Sequence, residues 1–130
     1  RWPPGMRLSS MMAPTLITDA DGPRMVIGSG GSNRLRSAIL QTVSNVIDWD
    51  LPVDEAANRA RVHFENDLLD LEAGIMPDVA DQLEGRGYRV NRWTEQSLYF
   101  GGAHIAVRLP DGRLTGAGDR RRGGTVAVVE

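Results

Sequence analysis

The hydrophobic period of this chain changes abruptly across seven residues, Gly28-Ser29-Gly30-Gly31-Ser32-Asn33-Arg34. Upstream, Thr15-Leu16-Ile17-Thr18 and Met25-Val26-Ile27 are β-rich runs on either side of Asp19-Ala20-Asp21-Gly22-Pro23, and together they predict a hairpin. Downstream, Leu35, Ile39, Val43, Val46 and Ile47 recur at helical spacing, with Leu40 beside them, and predict a helix from Ser32 to about Asp48. A strand must therefore feed directly into a long helix through a glycine-rich turn. That requirement favours an α+β layer architecture, or half of a layered sandwich, in which helix and sheet share one core.

The remaining elements fit this frame. Residues 1–12 are irregular, with Pro3, Pro4 and Gly5 opposing regular structure. Asp54 is a plausible N-cap for a short helix reaching about Arg59. Val62 to Phe64 and Leu68 to Leu71 look extended. Pro77 suits the first position of a helix that runs to about Glu84 and ends at Gly85 and Gly87. Tyr88-Arg89-Val90 reads as a short strand. Ala103 to Leu109 and Arg113 to Thr115 bracket the turn Pro110-Asp111-Gly112, and Thr125 to Val129 reads as a final apolar strand. No repeat or low-complexity segment is visible.

Composition excludes several functions. A net charge of -2 gives no electrostatic basis for binding nucleic acid or an anionic membrane. There is no clustered basic and aromatic face of the kind a nucleic-acid binder needs. The absence of cysteine removes disulfides and thiolate chemistry. No run approaches the ~18 apolar residues of a membrane span. Two isolated histidines without a carboxylate cluster make no metal site, and nothing in the sequence asks for a cofactor. The chain opens at Arg1-Trp2-Pro3-Pro4 without an initiator Met, which is the expected look of an internal cut in a longer precursor.

Two stretches carry candidate chemistry. In Gly28 to Arg34 the glycines can simply allow positive φ and close backbone approach. Alternatively, adjacent amides at the helix start point at an anion or a developing oxyanion. The lack of Lys excludes a Walker-type nucleotide loop. In Arg7-Leu8-Ser9-Ser10-Met11-Met12-Ala13-Pro14-Thr15 the two hydroxyls can satisfy turn backbone groups, or each can donate to a carboxylate. His63 and Arg61 alternate and share a face, where a structural histidine is expected. His104, in Ala103-His104-Ile105-Ala106-Val107, reads as packing. Arg120-Arg121-Arg122 before two glycines could bind phosphate, but the favoured readings are a solvated turn or an arginine paired with Asp119; Asp78, Asp81 and Glu84 read as a solvent face.

The ordered set of these segments resembles the C-terminal part of the small subunit of γ-glutamyltransferases, which are N-terminal-nucleophile hydrolases. The resemblance covers essentially the whole chain, 1–130, as a single segment. It runs through Ser9-Ser10-Met11-Met12-Ala13-Pro14-Thr15, the glycine-rich run, and Ala60-Arg61-Val62-His63. It continues through Asp67-Leu68-Leu69-Asp70-Leu71-Glu72, Phe100-Gly101-Gly102-Ala103-His104-Ile105 and Gly116-Ala117-Gly118-Asp119-Arg120-Arg121.

The resemblance implies a partial αββα sandwich of mostly antiparallel strands with one long helix. It implies that the paired glycines supply oxyanion amides, at Gly30 and Gly31 by identity or at Gly31 and Ser32 by gapless counting from Arg34. It also implies that a serine pair binds the substrate α-carboxylate, either Ser9 and Ser10 or Ser10 and Met11. The nucleophilic threonine of the family lies upstream of this chain. Expected partners are therefore the rest of the precursor, meaning the large subunit and the N-terminal part of the small subunit, and a small γ-glutamyl substrate. The segment alone is expected to lack transferase activity and to self-associate through exposed strand edges. Export to the periplasm or beyond follows the family habit. A related acylase with a different acyl group, or a non-catalytic assembly module on the same scaffold, are the alternatives.

Overall fold

A computed structural model describes residues 2–129. Strands β1 (Thr15–Asp19) and β2 (Gly22–Gly30) form the expected hairpin. Helix α1 (Leu35–Ile47) follows β2, and α2 (Val53–Asn58) follows α1. Next come β3 (Val62–Glu65), β4 (Leu68–Leu71), α3 (Pro77–Gly85), β5 (Arg89–Arg92), β6 (Gly102–Arg108) and β7 (Leu114–Ala117). Short 3-10 turns span Leu98–Phe100 and Arg120–Arg122.

The strands make two sheets. One is four-stranded and antiparallel, in the order β1-β2-β6-β7; the other is three-stranded, β3-β4-β5. β5 lies parallel to β4 because α3 carries the chain back across before β5 begins. The fold is thus α+β and mostly antiparallel.

Alternation along β2 and β6 divides the large sheet into two faces. Met25 and Ile27 pair in register with Val107 and Ile105, and all four are buried beneath α1 and α2. The opposite face carries no helix among the described residues, and the C-terminal segment lies on its β6–β7 side, with Arg122 over Gly102 and Val126 over Gly116. Leu16 lies opposite Val26, Val26 opposite Ala106, and Ala106 opposite Gly116. Leu16 and Val26 are more than half exposed, at 57% and 54%. A sheet covered by helices on one face and open on the other is half of a layered sandwich.

Several expectations need correction. α1 begins at Leu35, not Ser32, since Gly31 to Arg34 form a turn in which the Leu35 amide donates to the Ser32 carbonyl at 3.0 Å. Pro52, not Asp54, precedes α2. Asp54 sits in the first turn, where its carboxylate meets Arg120 at 2.9 Å. Residues 125–129 form no strand: Val126 rests against Gly116, while Val128 and Val129 face solvent. His104 does not pack in the core. It lies on the open face of β6, and its Nδ1 accepts the Asp119 amide at 3.4 Å.

Candidate active site

β2 delivers Gly30 to the end of the ladder, directly opposite Gly102 of β6. Gly31 lies past the last pair, at φ 138°, a backbone conformation that disfavours any side chain. The chain then turns through Ser32 to Arg34 into α1. The amides of Gly31 and Ser32 donate to no turn carbonyl and to no side chain among the described residues. A cavity of about 300 Å³ opens beside this turn, lined by Met11, Ser32, Asn33, Leu35 and Arg36. The positive end of α1 and these unused amides give the cleft the polarity an anion needs.

The N-terminal stretch reaches the same cleft through one residue. Met11 Sδ lies 3.4 Å from Ser32 Oγ, and Met11 lines the cavity. Ser10 Oγ accepts the Met12 amide at 3.2 Å, a local turn contact, and neither Ser9 nor Ser10 lines the cavity. Gly30 and Gly31 are adjacent across the ladder end, with Ser32 immediately beyond. The structure therefore gathers Gly30, Gly31, Ser32 and Met11.

A second layer of residues fixes this junction. Arg34 stacks on the Tyr99 ring, its guanidinium carbon 4.3 Å from the centroid, and its Nε donates to the Tyr99 carbonyl at 3.2 Å. Tyr99 donates its hydroxyl to Asp70 at 2.6 Å, and Asp70 also accepts from Trp93 Nε1 and Asn91 Nδ2. Burial pushes the Asp70 carboxyl up, but the donors Tyr99, Trp93 and Asn91 outweigh it and hold the group below its ordinary value. Burial and the Asp70 carboxylate push the Tyr99 hydroxyl the other way, so it stays protonated. His63 is buried. Its Nδ1 pairs with Ser37 Oγ at 2.7 Å, while Nε2 lies 3.5 Å from Glu65 and makes no hydrogen bond. His63 is thus buried with half of its polar capacity unused.

The element that local sequence reading missed is a buried ionic quartet. Arg61 meets Asp119 at 2.7 Å, and Arg121 pairs with both Glu72 and Asp119. All four side chains are almost fully removed from water. Their charges cancel, and backbone groups occupy most of the remaining sites, although Arg61 Nε is buried without a partner. Glu72 accepts the amides of Arg61 and Ser97, Asp119 accepts those of Ala103 and Arg121, and Arg61 donates to the carbonyls of Ala57 and Phe100. Burial alone would raise the Asp119 carboxyl; the Arg61 guanidinium and the two amides hold it below the usual carboxylate range. Burial works against the Arg121 charge, and the Glu72 carboxylate more than restores it. Of the two readings of Arg120 to Arg122, the arginine paired with Asp119 is the one observed, at Arg121. The quartet ties β3, β4, β6 and the 3-10 turn Arg120–Arg122 together behind the glycine junction.

Two undonated amides at a strand-to-helix turn, set beside a cleft, can hold an anion or a developing oxyanion. The family model for gamma-glutamyltranspeptidase matches residues 1–129, and the chain belongs to that family. It is 36% identical over 124 residues to the glutathione hydrolase proenzyme of Escherichia coli (strain K12), covering 91% of this chain and 20% of that protein. It is 33% identical over 126 residues to the acylase ACY 1 proenzyme of Pseudomonas sp. (strain V22), covering 97% of this chain and 22% of that protein. The chain thus spans about a fifth of the length of these curated relatives. Among solved structures, the gamma-glutamyltranspeptidase of Pseudomonas nitroreducens complexed with L-DON superposes with a TM-score of 0.84 at 29% identity, covering 99% of this chain and 67% of that one. The transpeptidase CapD of Bacillus anthracis gives 0.82 at 30% identity, covering 97% and 75%. The relatives are enzymes by name. No helix among the described residues is long and apolar enough to cross a membrane.

Proposed function

We propose that this chain is the C-terminal part of the small subunit of a γ-glutamyl acyl transferase or hydrolase. In this reading the amides of Gly31 and Ser32 receive the oxyanion. The observation that carries it is the pair of undonated amides beside the Met11–Ser32 cleft, at the end of the β2–β6 ladder. Gly30 lies within that ladder, so the gapless register from Arg34 is the one adopted. A threonine hydroxyl supplied by the rest of the precursor attacks the γ-carbonyl. The C–O bond forms, the oxyanion rests on the two amides, and the C–N bond then breaks as the amine leaves with a proton. Water or an amine acceptor subsequently takes the acyl group.

Coverage supports the fragment reading. The chain matches about a fifth of the proenzymes but 67% to 75% of the chains in the solved transpeptidases, as expected if a cleaved subunit holds it. The other half of the sandwich, from the same precursor, is the proposed cover for the bare sheet face around Leu16, Val26 and Ala106. Without that cover the segment self-associates. A periplasmic or extracellular site follows from the family resemblance.

One observation favours a variant of this reading. Met11 lines the cleft, and in the gapless register from Pro14-Thr15 it stands where the family pattern has a serine; a lost hydrogen bond to a charged group is worth about 1.5–3 kcal/mol. Unless another donor replaces that hydroxyl, an acyl group other than γ-glutamyl fits the change, and the acylase relatives share the scaffold.

The test compares the complete precursor with the 130-residue chain on a γ-glutamyl anilide. The precursor is expected to release aniline and to carry a transient acyl adduct on a threonine, with the short chain inert. Turnover by the short chain alone, or no adduct and no turnover by the processed precursor with any acyl anilide, defeats the proposal.

A further inference from the structure

The side chain of Arg122 lies across the glycine junction. A Cβ placed on Gly102 would overlap Arg122 Cδ, and one on Gly30 would fall 3.1 Å from its Nε. One on Gly31 would lie 3.9 Å from Nη2. Two facing glycines, Gly30 and Gly102, therefore leave the channel in which this side chain rests. Any larger residue at position 102 would displace its stem.

The base of Arg122 is fixed by backbone contacts. Its amide donates to the Asp119 carbonyl at 3.1 Å, in the 3-10 turn that the buried quartet anchors. Gly123 ends that turn in the left-handed region, at φ 61°. Its two neighbours are neutralised, Arg120 by Asp54 and Arg121 by Glu72 and Asp119. Among the described residues Arg122 itself makes no ion pair and no side-chain hydrogen bond, and it is exposed on the open side of the sheet. A preorganised guanidinium without a counter-ion, next to amides that await negative charge, is a recognition element for a second anionic group.

We propose that Arg122 recognises the carboxylate of the acyl donor, and so selects acyl groups that end in a carboxylate a few methylenes from the reacting carbonyl. The inference rests on the acyl-transfer reading of the Gly31–Ser32 cleft. It also accounts for Met11. The hydroxyl missing there is offset by a guanidinium that can bind a carboxylate with two parallel hydrogen bonds. Both a γ-glutamyl group and a glutaryl group satisfy this chemistry, because they differ in the amine and not in the carboxylate.

The test uses the complete processed protein, with Arg122→Gln and Arg122→Lys. Each is assayed on a γ-glutamyl anilide and on the same compound with its carboxylate converted to a neutral amide. Arg122→Gln is expected to raise KM for the carboxylate donor about tenfold or more and to leave kcat within threefold. It is expected to move the neutral donor less than twofold, while Arg122→Lys retains part of the discrimination. Equal effects on the two donors, or none, overturn the proposal.

A second arm needs neither turnover nor a variant. Phenylglyoxal labelling of Arg122 in the wild-type protein is followed by mass spectrometry with glutarate or glutaramide present. Protection by glutarate alone supports the proposal even if no anilide is cleaved, in which case the acyl-transfer reading is what fails. Labelling that glutarate does not slow overturns the role of Arg122 whatever the enzyme turns over.

Discussion

Replacing Arg121 with Met tests whether the ionic quartet holds the junction. The substitution removes the contacts of Arg121 with Glu72, its 3.2 Å contact with Asp119 and its 2.9 Å bond to the Arg59 carbonyl. Glu72 then stays buried with only the amides of Arg61 and Ser97 as partners. Breaking a buried pair from one side costs about 3–5 kcal/mol, because the abandoned charge is left without compensation. A domain of this size is stable by roughly 5–15 kcal/mol, so the loss is a large share of the total. It corresponds to a fall in Tm of roughly 10–20 °C.

Adding Glu72→Gln removes the abandoned charge, and the amide oxygen still accepts one of the two backbone donors. The double variant is therefore expected to be more stable than Arg121→Met alone. Urea titrations at one fixed protein concentration read both differences, since self-association makes apparent stability depend on concentration. A single variant that loses less than 1 kcal/mol, or a double variant less stable than Arg121→Met, would refute the reasoning.

Other outcomes follow from the same contacts. Asp70 and Asp119 are both held below the ordinary carboxylate range, so each contributes stability that is present above an unfolded pKa of about 3.9 and is lost as pH falls through the folded value. Acid unfolding followed by circular dichroism should thus begin below about pH 4, and Asp70→Asn should flatten the profile there; an unchanged profile contradicts the assignment. Tyr99→Phe removes the 2.6 Å bond to Asp70 and is expected to cost about 1–3 kcal/mol in urea titrations, against near-neutrality if that bond is idle. Gly102→Ala meets only the flexible stem of Arg122, so it should melt within a few degrees of wild type while weakening carboxylate discrimination; a severe loss of fold would show that the channel is rigid. Val26→Arg on the bare sheet face should reduce self-association of the 130-residue chain in sedimentation, and an unchanged profile would place the contact elsewhere.

The period change at Gly28 to Arg34 announced the hairpin and the long helix because both patterns are local and strong. Pro77 marked the start of α3 for the same reason, sitting at its first position. The quartet was not legible in this way. Arg61, Glu72 and Asp119 are separated by eleven and forty-seven residues in sequence, and no window of local pattern joins them. Only the short-range pairing of an arginine with Asp119 was legible, while Arg61 appeared as a strand neighbour of His63 and Glu72 as a member of a family-like segment. The charge of Arg121 suggested solvent, and tertiary pairing overrode that preference. Thr125 to Val129 has the composition of a strand, but Val126 lies over Gly116 and no partner strand among the described residues pairs with it. β5 was foreseen as a strand without its parallel sense, which depends on where α3 returns the chain. At the site, the glycine pair was legible as a turn. Its free amides, the approach of Met11 and the lie of Arg122 all depend on residues distant in sequence.

The role assigned to the main chain at the cleft is most directly examined with Ser32→Pro in the processed full-length protein, which deletes one of the two N–H groups. With processing and melting temperature verified, kcat should drop by about 100- to 1,000-fold while KM stays within threefold. A folded, processed variant that turns over at the wild-type rate would show that this amide does not hold the reacting oxygen.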